Sequence, residues 1–288
     1  VDGVPAGLAE SCYRRFPMAA TRPIGNLLRE WRQRRRLSQL ELALEAEIST
    51  RHLSFLETGR SQPSREMLLH LAEQLEIPLR HRNVLLNAAG FAAIFPERKL
   101  NDPQLVRVRE AVDVVLKAHL PFPALAIDRH WTLVASNGAL KPLLRGVNVD
   151  LLEEPLNVLR LTLHPGGLAP RLGNYHEWRA HALAKLRRQV AVSGDPVLAD
   201  LLDELRRFAP PDGVGPKPTP SESNCDQQRL VVPFQLVTDA GTVSFFSTTT
   251  VFGTAVDVTL SELSLELFYP ADANTAEVIR RMVKSAAQ

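Results

Sequence analysis

The sequence has little cysteine, no long apolar run and almost no net charge, and each shortage excludes a class of protein. Its 288 residues include only two cysteines, Cys12 and Cys225, too few for a disulfide framework and too far apart for a zinc motif. No stretch approaches the roughly eighteen consecutive apolar residues of a membrane helix. The opening segment carries Asp2 and Glu10 without an apolar run, so we expect no signal peptide. These shortages together predict a protein of the reducing cytoplasm.

Sequence motifs of enzymes and metal sites are also missing. The eight histidines include no HExxH pair and no Cys/His set with zinc spacing. No GxGxxG or Walker loop is present, and the turn at His164–Gly167 has no GxSxG nucleophile motif to accompany it. We therefore predict no enzyme activity, no metal site and no required cofactor.

The composition is that of a globular protein with an uneven charge. Hydrophobic residues make up 45% of the chain, and its length favours two domains. The net charge of the whole chain is +2, but residues 19–99 have a net charge of +4 and residues 100–288 one of −2. Five arginines lie between Arg29 and Arg36. This asymmetry favours an N-terminal domain that binds a polyanion, followed by a second domain of a different kind.

The segment 21–95 predicts five short helices. The first lies near 23–36, with Pro23 at its start. Ser38 with Glu41 forms a capping box for the second helix, and Ser49 caps the third, which ends at Gly59. The last two helices lie near 64–75 and 80–89.

The second and third helices have the spacing of a helix-turn-helix, which places its later helix in the major groove of DNA. Leu53, Leu56 and Glu57 share one face of the third helix and are expected to pack inward. The opposite side predicts contacts to base edges, with Arg51 binding guanine and Phe55 touching a thymine methyl group. The predicted base-contacting residues are Thr50, Arg51, Ser54 and Phe55. The predicted phosphate-contacting residues are Gln39, Ser49, His52 and Arg60.

The string from Arg22 to Leu75, with SQLELA, STRHLSFLETGR and PS in register, resembles the xenobiotic-response-element (Cro/C1-type) helix-turn-helix family. The resemblance implies that Arg32 is buried and paired with Glu57. It covers about seventy residues and departs from the family at Glu47, where the turn usually has glycine. A positive φ at Glu47 costs about 1 kcal/mol, so we expect a slightly different turn here.

The remainder of the chain predicts an α+β domain over 105–288, joined by a linker at 96–104. Strands are expected in PALAI and HWTLVAS, then helices near 137–145, 155–161, 175–192 and 196–207. A mobile loop is predicted over 210–228, where five prolines occur. Three more strands and a helix over 274–286 complete one five-stranded antiparallel sheet.

Segments of this second domain, including AIDRHWTLVASNGAL and FFSTTTVFGTAVDVTLSELSLELFYPADANTA, resemble the ligand-binding domain of MmyB-like transcription regulators, a PAS-like fold. The resemblance implies a small molecule bound between the sheet and its covering helices, and a dimer. The sheet strands offer apolar faces, so we expect a mainly apolar cavity there. The candidate ligand-binding residues are Asn157, Arg160, His164 and Trp178, although capping or packing explains each equally well. Arg160 and His164 suggest an acidic ligand resembling a fatty acid.

A third possible function, an enzyme fused to a DNA-binding domain, requires a catalytic constellation that we do not find in the sequence. Two other functions remain open. The first is a bacterial, cytoplasmic transcription regulator that binds inverted-repeat DNA as a homodimer and responds to a small molecule. The second is an antitoxin-type or scaffold DNA-binding protein whose second domain only dimerises or binds a protein partner. We also expect residues 1–20 to form a flexible arm.

Overall fold

The computed structural model describes residues 22–100, 102–212 and 231–286, and the chain divides into two compact units, Val1–Ile94 and Phe95–Gln288. The N-terminal arm predicted over 1–20 and most of the loop predicted over 210–228 lie outside the described residues.

The described part of the first unit consists of five helices, as predicted. They are α1 (Ile24–Arg34), α2 (Gln39–Glu45), α3 (Thr50–Glu57), α4 (Arg65–Gln74) and α5 (Leu79–Ala88). The Ser38 hydroxyl accepts the backbone N–H of Glu41, whose carboxylate accepts the N–H of Ser38, so the capping box forms. The Ser49 hydroxyl caps α3 in the same way by accepting the N–H of His52. These caps fix where the two helices of the helix-turn-helix begin.

The five helices enclose one apolar core. Leu28 and Trp31 of α1 meet Leu53 and Leu56 of α3 in that core, and all four are buried. Gly25 lets α1 approach the end of α3 closely, because a Cβ at this position would lie 2.5 Å from the carbonyl oxygens of Leu56 and Glu57. A side chain here would separate the two helices.

The turn between α2 and α3 differs from our expectation. Glu47 has a φ of +52°, so the turn keeps the left-handed backbone that favours glycine. The expectation of a different turn at Glu47 is therefore wrong. The backbone is held because the N–H of Ile48 still bonds to the carbonyl of Ala43, and the strained residue remains on the surface.

The second unit contains a five-stranded antiparallel sheet flanked by helices, which confirms the predicted α+β architecture. Its strands are β1 (Ala124–Ile127), β2 (Leu133–Ser136), β3 (Phe234–Thr238), β4 (Gly241–Val251) and β5 (Ser264–Pro270). Its helices are α6 (Val106–Ala118), α7 (Val158–Leu163), α8 (Tyr175–Ser193), α9 (Pro196–Arg207), α10 (Val258–Ser261) and α11 (Ala273–Ala286). The strand order is β2-β1-β5-β4-β3, with the first hairpin beside the last strand.

The alternation of side chains along β1 assigns the two faces of the sheet. Ala124 and Ala126 lie against α6, in a cluster that includes Val112 and Leu116. Leu125 and Ile127 point the other way, into a cluster formed with α7, α8 and α9. We call this second side the inner face of the sheet.

Two predicted segments are different in the structure. The helix predicted over 137–145 is only a 3-10 turn at Lys141–Leu144, because the buried Asn137 side chain ties the chain to strand β1. The helix predicted over 155–161 begins later, at Val158, where the Asn157 side chain caps it by accepting the N–H of Arg160.

The segment predicted as a linker, 96–104, belongs to the second unit and bonds to the start of α10. The N–H of Val258 donates to the carbonyl of Pro96 at 2.8 Å. The Arg98 guanidinium lies 2.7 Å from an Asp257 carboxylate oxygen that is almost fully buried. Residues 96–98 are therefore tied to the start of α10.

Candidate functional sites

Helix α3 presents a polar face at the surface of the first unit. Thr50 and Arg51 are exposed, and Ser54 and Phe55 are half-buried. Leu53, Leu56 and Glu57 on the other side are buried. The structure thus places the four predicted base-contacting residues on one accessible surface of α3.

Two arginines make cation–π contacts with the Phe55 ring. The guanidinium carbon of Arg51 lies 5.3 Å from the ring centroid and that of Arg60 lies 5.8 Å from it. A cation over an aromatic face is stabilised while its N–H donors stay available. Phe55 therefore orients the two cations in addition to any apolar contact it makes itself.

Three of the predicted phosphate contacts are accessible, and the fourth has another partner. Ser49 and Arg60 are exposed, and His52 is half-buried. The Gln39 side-chain amide instead donates to Glu57 Oε2 at 2.8 Å. Its second amide hydrogen and its carbonyl oxygen are the groups left for DNA.

Arg32 and Glu57 form a bidentate ion pair inside the first unit. Arg32 Nε lies 2.6 Å from Glu57 Oε1, and the terminal nitrogen lies 2.8 Å from Oε2. The side chains are only 10% and 2% exposed. The hydrogen bonds to Glu57 raise the pKa of Arg32, although burial opposes this. The pair joins α1 to the end of α3.

Most of the basic run in α1 makes contacts within the unit. Arg34 pairs with Glu30 on the same helix at 2.5 Å. Arg35 donates to the carbonyl oxygens of Leu75 and Glu76 at 2.8 Å each. Three of the five arginines of this run, Arg32, Arg34 and Arg35, thus make contacts within the unit, while Arg29 and Arg36 are exposed.

The second unit contains a cavity against the inner face of its sheet. About 90 Å³ of it is open to the centre of a water molecule. One water position takes roughly 10–15 Å³ on that measure, so the cavity has room for about six to nine water-sized groups, which is the scale of a small organic ligand. Its lining is mainly apolar and includes leucines of α7 and of the 3-10 turn at 141–144, together with three phenylalanines of the sheet. The mainly apolar cavity predicted from the sequence is present.

Three of the four predicted ligand-binding residues lie outside this lining, and each has another partner within the second unit. Asn157 caps α7 and donates to the carbonyl of His130 at 2.8 Å. Arg160 pairs with Glu204 of α9 through two contacts of 2.6 and 2.7 Å. His164 Nδ1 accepts the N–H of Gly166 at 2.9 Å. The argument for an acidic ligand from Arg160 and His164 therefore loses its basis.

Trp178, the fourth predicted residue, does line the cavity. Its indole N–H is buried and has no hydrogen-bond partner within the described residues. An unpaired buried donor costs about 1–3 kcal/mol. The unmet hydrogen bond makes Trp178 a candidate for contact with a ligand.

The polar end of the cavity was not found from the sequence. Lys185 of α8 lies 2.8 Å from Glu266 of β5, and both side chains line the cavity with His181 and Ser247. Glu266 also accepts the Thr249 hydroxyl at 2.8 Å. Burial, followed by the charges of Lys185 and Arg188, lowers the pKa of His181, so this ring is uncharged at neutral pH. The only signal in the sequence is the helical spacing of Trp178, His181 and Lys185.

Comparisons with protein families match both units. Residues 28–81 match a helix-turn-helix family, and residues 108–282 match the family described as MmyB-like transcription regulator ligand binding domain. The second match covers more than half of the chain. The chain belongs to this family. It is a DNA-binding transcription regulator with a ligand-binding domain, as the sequence resemblance predicted, and both matched families are regulatory.

No curated protein matches the regulator. Across 22–100, 102–212 and 231–286, no helix is both long and apolar enough to span a bilayer. The same residues bring together no trio of His, Cys, Asp or Glu side chains suited to a metal ion.

Proposed function

We propose that this regulator reads specific DNA sequences through α3 as a homodimer and changes its DNA binding when a small, mainly apolar molecule occupies the cavity of its second unit. The accessible group of Thr50, Arg51, Ser54 and Phe55 on a capped α3 carries the first part. Such a helix fits the major groove, where arginine binds guanine through two hydrogen bonds.

The test of the DNA surface compares two arginines that stack on the same ring. Selection of bound sequences from random DNA by the full chain defines the motif. Arg51→Ala is expected to weaken the selected site by about 1–3 kcal/mol and to relax the preference at one position. Arg60→Ala is the matched control, because losing a phosphate contact weakens all sequences about equally. An unchanged motif with Arg51→Ala contradicts the assignment of α3 to the groove.

The apolar cavity supports the sensing part of the proposal. Cavities with a mainly apolar lining and a few polar groups are the usual form of a small-molecule site. A ligand shifts DNA binding only as far as it prefers one arrangement of the protein over another.

Sensing is tested by thermal shift and native mass spectrometry of the full chain against lipids and aromatic metabolites, followed by DNA binding with each hit. We expect at least one ligand that raises the melting temperature and changes the affinity for the selected site. A ligand-binding chain whose DNA affinity never changes supports the scaffold alternative, in which the second unit serves only for assembly.

A further inference from the structure

We propose that the ligand of the cavity is uncharged and carries a hydrogen-bond acceptor, such as a ketone, ester or hydroxyl oxygen. This acceptor bonds to the Trp178 indole N–H, and the Lys185–Glu266 pair excludes charged head groups. This inference rests on the sensing function proposed above and specifies its ligand class. It contrasts with the fatty-acid-like ligand suggested by the sequence.

The charges at the polar end of the cavity already balance. Lys185 Nζ lies 2.8 Å from Glu266 Oε1, and the Glu266 side chain is only 7% exposed. The ammonium also lies 4.8 Å from the centre of the Trp131 ring. The Lys185 side chain is 31% exposed, so the pair lies at the partly solvated end of the cavity. A carboxylate entering beside this pair meets Glu266, and an ammonium meets Lys185, so neither charge finds an unpaired partner.

The other polar groups of the lining are neutral. Burial lowers the pKa of His181 and keeps its ring uncharged. The Thr162 hydroxyl donates to the carbonyl of Val158 within α7 at 2.7 Å. These groups add no charge that compensates an ionic head group.

The unmet donor is the indole N–H of Trp178. It is buried and has no partner in the described part of the chain, while the ring lines the cavity. The Trp178 ring packs against the Phe234 ring, with the two ring centroids 5.0 Å apart and an angle of 62° between the ring planes. A ligand oxygen satisfies this donor, and a hydrocarbon leaves it unpaired.

The test uses a matched series of ligands with one chain length, namely 2-octanone, 1-octanol, octanoic acid and octylamine. Their dissociation constants for the full chain are measured at neutral pH by calorimetry or by thermal shift titration. We expect the dissociation constants of the ketone and the alcohol to be lower than those of the two ions by about tenfold or more.

Two charge variants then invert the preference. Glu266→Gln leaves Lys185 unopposed, so octanoic acid gains about tenfold relative to 2-octanone. Lys185→Met leaves Glu266 unopposed, so octylamine gains instead. Glu204→Gln and Arg160→Met break an ion pair of the same unit that does not line the cavity, and they leave the ranking unchanged.

Trp178→Phe keeps an aromatic ring and removes the indole N–H donor. It therefore weakens the binding of 2-octanone several-fold and leaves the binding of 1-chlorooctane, a weak acceptor of similar length, unchanged.

If octanoic acid binds the wild-type chain as tightly as the ketone, the uncharged-ligand inference is overturned and the sensing function stands. Charge variants that shift all four ligands equally also overturn it. If no member of the series binds, both proposals fail for ligands of this size. Where a variant does not fold, the ranking in the wild-type chain decides.

Discussion

A single carboxylate, that of Glu57, organises three parts of the DNA-binding unit. It accepts two hydrogen bonds from Arg32 of α1 and one from Gln39 of α2, and it lies in the last turn of α3. Because it is buried, removing it strands the guanidinium in an apolar setting.

Glu57→Ala is expected to destabilise the first unit by about 3–5 kcal/mol, since one charge of a buried pair remains alone. Replacing Arg32 and Glu57 together by apolar residues is milder. The melting transition of the first unit in the full chain, followed by calorimetry, measures both effects. Glu30→Ala removes the partner of Arg34 at the surface and costs less than about 1 kcal/mol. If all these variants change the stability of the first unit by the same small amount, the Arg32–Glu57 pair does not behave as a buried ion pair.

The left-handed backbone of Glu47 gives a second expectation at the residue scale. With a φ of +52°, Glu47→Gly relieves strain and stabilises the first unit by up to about 1 kcal/mol. Glu45→Gly, on the exposed side at the end of α2, is the matched control and lowers stability, because its helical backbone gains nothing from glycine. Chemical denaturation measures the change in the free energy of unfolding of each variant, which we expect to rise for Glu47→Gly and to fall for Glu45→Gly.

At the scale of elements, the second unit depends on one buried amide. Asn137 Oδ1 accepts the N–H groups of Ala124 and Ala139 at 3.2 Å each. Its Nδ2 donates to the carbonyls of Leu116 and Phe122 at 3.0 and 2.8 Å. Asn137 thus joins the end of α6, the start of β1 and the chain after β2.

Asn137→Ala is expected to destabilise the second unit by roughly 3–5 kcal/mol, because four buried backbone groups lose their partner. Asn137→Asp keeps the two acceptor contacts and places an oxygen against two carbonyl oxygens, so it is also destabilising. Asn148→Ala is the control at an exposed turn, where the side chain accepts only the N–H of Asp150. The melting temperature of the second unit checks the series, and a result for Asn137→Ala as small as that for Asn148→Ala contradicts the role.

The elements that the sequence predicted are those whose signals are local. Ser38 with Glu41, and Ser49 before α3, fix helix ends within four residues. The polar end of the cavity depends on Lys185 and Glu266, which are 81 residues apart and meet only after the sheet and α8 pack. Arg160 was assigned to the ligand site because the sequence does not show that Glu204 is its partner. The two side chains meet only where α9 packs beside α7. Pairwise contacts between distant elements are therefore the part that sequence patterns did not provide.

At the scale of the whole molecule, the proposal requires a dimer on two half-sites. A single α3 contacts few base pairs, so natural sites are expected to be inverted repeats with half-sites about one helical turn apart. The second unit is the proposed source of the two-fold symmetry.

Deleting residues 105–288 is therefore expected to leave a monomer that binds the full site much more weakly than the intact chain. Analytical ultracentrifugation measures the assembly state, and a binding titration at fixed salt measures the affinity. The same titration on a single half-site is the control, where the fragment and the intact chain differ far less. A fragment that binds the full site as tightly as the whole chain contradicts this expectation.

Within the part of the chain that the structure describes, the cavity is lined by residues between Pro123 and Phe268, all in the second unit. Substitutions in distant, unshared sites have nearly independent effects. On the proposed function, changes at Trp178, Lys185 or Glu266 would give a duplicated copy of this regulator a different ligand specificity and leave the proposed DNA-contacting residues of α3 unchanged. The same independence makes the chain a starting point for a biosensor, in which the lining is redesigned and the reporter circuit is retained.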